Sequence, residues 1–224
     1  MDYSNRTFVV AAALAVGLAV APFPGRWAIL QQLLPVLVVA IFYWRSGYSL
    51  ERASLAAPSQ GWIRCGGSAL VLAGILYVVE ALLVQPLARL FASQPKDLTL
   101  FEPIEGSLGN LAMYLGFMWM FAAFGEEFLW RGFLLRQIAD REKPRRLATG
   151  LAITVSAALF GLAHAYQGTA GVVEKFLAAL ILGAIYVKSG RSSIWLVVFI
   201  HGFQNTISFI AIYLGIYDKL NPFS

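Results

Sequence analysis

Long apolar runs, each free of charge and separated by short polar connections, dominate the chain. No Asp, Glu, Lys or Arg occurs from Thr7 to Gly25, Trp27 to Trp44, Cys65 to Val79, Gly106 to Gly125, Leu147 to Val173 or Ser192 to Tyr217. Within these runs apolar positions are continuous rather than alternating, which predicts helices and argues against a strand barrel. A bilayer core of about 30 Å is crossed by roughly 20 such residues. The expected fold class is therefore all-α, a polytopic transmembrane helix bundle of about seven spans. They are placed at about 7 to 24, 27 to 44, 63 to 84, 108 to 136, 148 to 167, 170 to 187 and 193 to 216. The sixth reaches membrane length only if Glu174 and Lys175 belong to its first turns, near an interface where such side chains snorkel.

Composition agrees with this class. Hydrophobic residues make up 59% and charged residues 13% of the 224, with a mean hydropathy of +0.70. Soluble domains run at roughly 45–50% apolar and about 25% charged, so a cytosolic globular enzyme is excluded. The single cysteine, Cys65, leaves no internal disulfide framework and no Cys-rich metal site. The net charge of +5 suggests no nucleic-acid partner, because a polytopic protein acquires basic residues by orienting its loops.

Those basic residues predict the orientation. With seven spans, one side receives Arg6, Arg45, Arg52, Arg64, Arg136, Arg141, Lys143, Arg145, Arg146, Lys188 and Arg191. The other receives Arg26, Arg89, Lys96, Lys175 and Lys219, and Arg131 stays inside a span. The excess puts the N-terminus in the cytoplasm. Arg6, the apolar stretch after it and Ala19-Val20-Ala21 also resemble a signal peptide with a small-residue cleavage site; Asp2 and Pro22 speak against cleavage. The connections 45 to 62 and 85 to 107 contain Pro, Gly and Ser and are expected to include interfacial pieces. No internal repeat appears, so the chain reads as a single membrane domain.

Ionisable groups inside spans cost roughly 2.5–3.5 kcal/mol each on insertion scales, which makes each a functional candidate. They are Glu80 near the end of span three, Glu126, Glu127 and Arg131 in span four, His164 in span five and His201 in span seven. Both histidines of the protein are among them. On a helix, Glu127 and Arg131 stand at i,i+4 with the acid first, the favourable order for an ion pair. Glu126, about 100° around the helix, is left to point into a cavity. His201 and Asn205 share a face. At about 1.5 Å of rise per residue, Glu126, His164, His201 and Asn205 reach overlapping depths in the membrane.

A carboxylate, two imidazoles and a carboxamide around a buried, wet pocket suit hydrolysis by an activated water. Glu126 can accept the proton, and His164 can orient or share the water. His201 and Asn205 can donate hydrogen bonds to the oxyanion that develops on an amide carbonyl. Arg131 would hold Glu127 and stiffen the local helix. The same residues admit a metal alternative, with Glu126, His164 and His201 binding a divalent ion such as zinc and a water in the open position. The metal-free form is preferred because there is no HExxH pair and no cysteine ligand.

Glu126-Glu127-x-x-x-Arg131, Phe160-x-x-x-His164 and His201-x-x-x-Asn205, in this order on separate helices, resemble the EExxxR, FxxxH and HxxxN motifs of the CPBP family. This family comprises CAAX proteases and bacteriocin-processing enzymes and is also called the Abi family. The resemblance covers roughly residues 105 to 210, which makes this the protease core and 1 to 100 a region of N-terminal membrane helices and interfacial loops. It implies an intramembrane endopeptidase acting on a membrane-associated peptide or protein tail. In that reading the first Glu and first His activate water, and the second His with Asn forms the oxyanion hole. Members include enzymes that remove a C-terminal tripeptide after a prenylated cysteine. Others process bacteriocins or quorum peptides or cut C-terminal sorting signals. The short chain looks bacterial, so the expected location is the inner membrane. Two other readings stay open, a non-enzymatic bacteriocin immunity or binding protein that keeps the cluster as structure, and a small transporter using it as a proton relay. Against the transporter stands the absence of repeat symmetry and of broken helices in corresponding halves.

Overall fold

The computed structural model describes residues 3–21, 28–141 and 145–223. These residues form an all-α bundle in which one isolated antiparallel bridge, Leu55 to Ser193, is the extended pairing among the described residues. The main helices are α1 (Tyr3–Val20), α2 (Ala28–Arg45), α3 (Trp62–Arg89), α4 (Leu108–Arg141), α5 (Arg145–Ala163), α6 (Gly168–Lys188) and α7 (Trp195–Tyr213), followed by the short α8 (Tyr217–Leu220). Of these, α3 to α7 are long and apolar enough to cross a membrane, and α1 and α2 contribute shorter apolar stretches, Asn5–Val20 and Leu30–Arg45. Outward-facing Ile63, Leu70, Val71, Val78 and Leu82 give α3 the apolar exterior that acyl chains require.

Boundaries differ from the sequence reading in several places, among them the fourth helix, which runs on from residue 136 to Arg141. The third helix continues past residue 84 to Arg89 through a wide turn at Glu80–Val84. The fifth stops at Ala163, and a single 3₁₀ turn, Ala165–Gln167, leads to Gly168, whose φ of +77° is readily adopted only without a side chain.

The centre of the bundle is α4, packed against α2, α5, α6 and α7. It starts regularly, with Ser107 accepting a hydrogen bond from the Asn110 amide. From Met118–Glu126 and again from Phe128–Leu135 it is wound as a π-helix, with i→i+5 pairing, instead of the α-helix assumed from spacing. Carbonyls in the widened turns find other donors. Tyr43 Oη donates to Gly132 O at 2.6 Å, and Ser156 Oγ donates to Trp130 O at 2.8 Å. All eight residues of Phe128–Leu135 are buried, so α2 and α5 clamp the segment through these bonds and through Phe42, Tyr43, Phe128 and Phe133, whose rings meet edge-on or tilted.

Helix ends gather in two layers. At one end Arg136 donates to Glu51 O and Arg191 O at 2.5 Å each and to Ser54 Oγ at 3.0 Å, and Arg191 pairs with Asp140 at 2.9 Å. At the other, the Asp97 amide donates to Gln167 O at 3.0 Å. The Asp97 carboxyl there accepts from Thr99 Oγ1 and the Thr99 amide, which holds it below the usual carboxylate range.

Helix α5 crosses α6 closely at Gly161. A Cβ added there would stand 2.7 Å from Val172 O, a backbone atom that no rotamer change can move. Gly161→Ala is therefore expected to lose about 1–2 kcal/mol of stability to overpacking, although alanine is intrinsically the better helix former by about 1 kcal/mol. A thermal unfolding curve in detergent checks this; a variant as stable as the parent would contradict the crossing.

Candidate active site

Glu126, His164, His201 and Asn205 all line one cavity of about 670 Å³ between α3, α4, α6 and α7. Each arrives there for a local reason. Glu126 ends the first π segment next to Gly125, where the absent Cβ lets Val36 of α2 come close. The residue is 6% exposed; Oε1 stands 4.0 Å from His164 Nε2, and Oε2 has no hydrogen-bond partner among the described residues.

His164 is the first residue past α5, in neither helix nor strand conformation, and its Nδ1 lies 2.8 Å from Phe160 O. A carbonyl only accepts, so Nδ1 carries the proton and Nε2 faces Glu126. His201 is fixed by a different partner, with its Nδ1 2.9 Å from Glu127 Oε1. Its neighbour Gly202 allows the close approach, since any Cβ there would overlap the ring of Trp119. Asn205, one turn on, lines the same cavity.

Glu127 and Arg131 form the i,i+4 pair that the spacing predicts, at 3.0 Å, with both side chains essentially unexposed. Arg131 also donates to Ala179 O of α6 at 3.3 Å. Spacing did not reveal that the same Glu127 oxygen takes up His201, so this pair fixes the ring as well as the helix. Phe160 explains the aromatic position of the second motif. Its ring centre lies 4.9 Å from the Arg131 guanidinium carbon, 4.5 Å from the His164 ring and 6.4 Å from the His201 ring, so one buried side chain packs against residues of all three motifs.

Glu174 and Lys175 require a correction. They lie in the early turns of α6, as expected, but they do not snorkel to an interface. Glu174 is 2% exposed and pairs with Lys96 Nζ at 2.6 Å and Lys175 Nζ at 3.2 Å; Lys175 also reaches Glu80 at 3.8 Å. Gln204 of α7 donates to Glu80 at 3.3 Å, and Lys96 donates to Tyr217 Oη at 3.2 Å. Lys96 comes from the 85–107 connection, and its ammonium is the counterion that keeps Glu174 inside the protein. Glu80, Lys96 and Lys175 line the far part of the cavity, whose remaining wall includes Phe101, Phe117, Phe121 and Phe209. The chamber is thus polar where α4, α6 and α7 meet and apolar along the outer half of α4.

Among the described residues no three His, Cys, Asp or Glu side chains are grouped so as to hold a metal ion. The Nδ1 bonds of His201 to Glu127 and of His164 to the Phe160 carbonyl orient both rings and leave Nε2 of each open toward the cavity.

Gln32 of α2 also lines the cavity, a residue outside the three motifs and uncharged, so neither motif nor charge pointed to it. The signal was present: Gln31 and Gln32 stand together in an otherwise apolar run. Neither curated proteins nor solved structures supply a match to the chain. Residues 108–207, which carry all three motifs, match the family model described as Rce1-like, type II CAAX prenyl endopeptidase, and so match the CPBP family of CAAX proteases.

Proposed function

We propose that this protein is an intramembrane endopeptidase that hydrolyses a peptide bond in a membrane-associated peptide or protein tail through a water activated by Glu126 and His164. The observation that carries the reading is the common cavity. Four polar side chains from three segments far apart in sequence line it, and one oxygen of the buried carboxylate is left without a protein partner. Glu127 also has one unpartnered oxygen, but its other oxygen holds Arg131 and His201, whereas neither oxygen of Glu126 takes a hydrogen bond from the described residues.

Glu126 takes a proton from the water as its oxygen adds to the scissile carbonyl carbon. The carbonyl oxygen becomes an oxyanion that accepts hydrogen bonds from Asn205 and from His201 Nε2. Donation from Nε2 requires the ring to carry both protons, and Glu127 is the anion beside it. Collapse breaks the C–N bond, and Glu126 returns its proton to the departing amine. The aromatic wall of Phe101, Phe117, Phe121 and Phe209 accommodates an apolar stretch of substrate. By the charge count the N-terminus is cytoplasmic, and the inner membrane of a bacterium is the setting.

Purified protein in proteoliposomes, challenged with a library of membrane-anchored peptides and read by mass spectrometry, is expected to produce defined cleavage fragments. Full activity should survive dialysis against a chelator. Fragments absent across the library would favour the non-enzymatic binding role. A stoichiometric metal whose removal reversibly abolishes cleavage would overturn the metal-free form.

A further inference from the structure

Beside the main cavity lies a second, much smaller one. Gln31, Gln32, Glu126, Ala163 and His164 are among the residues that bound it, and its space of about 10 Å³ suits a single water. Gln32, Glu126 and His164 are the three residues that line both cavities. Gln31 builds the wall, with Nε2 donating to Ala19 O at 2.8 Å and to Ala163 O at 3.3 Å. It thereby ties α1 and the end of α5, one residue before His164, to α2. Gln32 makes no hydrogen bond to protein among the described residues.

We infer that the small chamber is the seat of the hydrolytic water and that Gln32 holds the water there, between Glu126 Oε2 and His164 Nε2. The inference rests on the reading of Glu126 and His164 as the activating pair and adds a residue from outside the matched segment. A water in a polar chamber of this size needs two to four partners. The unpartnered Glu126 oxygen accepts, the His164 Nε2 left bare by its Nδ1 bond accepts, and the Gln32 carboxamide can donate or accept. Gln32 then stands at the passage between chamber and cavity, so the water meets a substrate carbonyl without leaving its partners.

Gln32→Leu keeps the bulk and removes both hydrogen-bonding atoms. On a peptide cleaved in the library assay it is expected to lower kcat about tenfold, the worth of one lost hydrogen bond, with KM within about twofold. Its unfolding temperature should equal the parent's. Gln32→Ala should retain more activity, because the space left admits a second water in place of the amide. A crystal structure of the parent in a lipid mesophase should show an ordered water within hydrogen-bond reach of Glu126 Oε2, lost in Gln32→Leu. If Gln32→Leu does not fold, Gln32→Asn supplies the same split between kcat and KM. Parental kcat in the variant, a loss confined to KM, or a chamber without that water overturns the inference. Glu126→Gln measured alongside separates the two ideas. If it is active, the water-activation reading fails; if it is inactive while Gln32→Leu is normal, only the role of the chamber fails.

Discussion

Replacing Glu126 by Gln is expected to leave a folded, membrane-inserted protein whose turnover is lower by about a thousandfold, the typical worth of a positioned general base. Glutamine has nearly the same shape but cannot take a proton from water. The substitution should be structurally mild, because Glu126 forms no close ion pair. Its Oε1 stands 4.0 Å from His164 Nε2, and Oε2 is unpartnered. Removing a formal charge from the membrane interior even favours the folded state slightly. Rate and stability should therefore separate, with kcat/KM falling by about 4 kcal/mol of transition-state stabilisation and the unfolding temperature unchanged or higher. The check is cleavage of a library-selected peptide in proteoliposomes together with a detergent melting curve. More than about a tenth of parental activity in Glu126→Gln would remove the glutamate from the mechanism, and with it the reason to read the cavity as hydrolytic.

The helical framework was legible because it follows from composition: an uncharged run of 18 to 20 residues has one good way to satisfy its backbone in lipid. The polar motifs were legible because charge inside such a run is rare. The winding of α4 was not. Apart from their three charges, residues 118 to 135 read like an ordinary α-helical span, and the carbonyls of the wide turns are met by Tyr43 and Ser156, donors from other helices that no local pattern announces. The environment of Glu174 was hidden for the same reason. Judged along its own helix it lies near an end, where a charge can reach water; its burial depends on Lys96, 78 positions earlier in a connection that carries no pattern. Gln32 was legible in principle, since an uncharged amide in a span needs a partner as a charge does, only less strongly.

Arg131→Met should give the second large effect, in stability first. It strands the Glu127 carboxylate, fully buried, with His201 as its remaining close partner, and removes the hydrogen bond to Ala179 O and the stacking on Phe160. Breaking one side of a buried pair typically costs about 3–5 kcal/mol, a large part of the roughly 5–15 kcal/mol that holds a domain folded. The double variant Arg131→Met with Glu127→Gln tests whether the pair serves more than the fold. With no charge left unpaired, most of the lost stability should return, as apolar or neutral replacements of buried pairs often allow. Activity should not return. His201 Nδ1 would face an amide oxygen, and an imidazole carrying both protons would have no anion beside it, so oxyanion stabilisation by Nε2 falls and kcat stays about 10²-fold down. Melting temperature and kcat measured on the single and double variants decide the matter. A double variant recovered in both would make Glu127 and Arg131 a structural clasp alone; one recovered only in stability makes Glu127 the residue that positions His201.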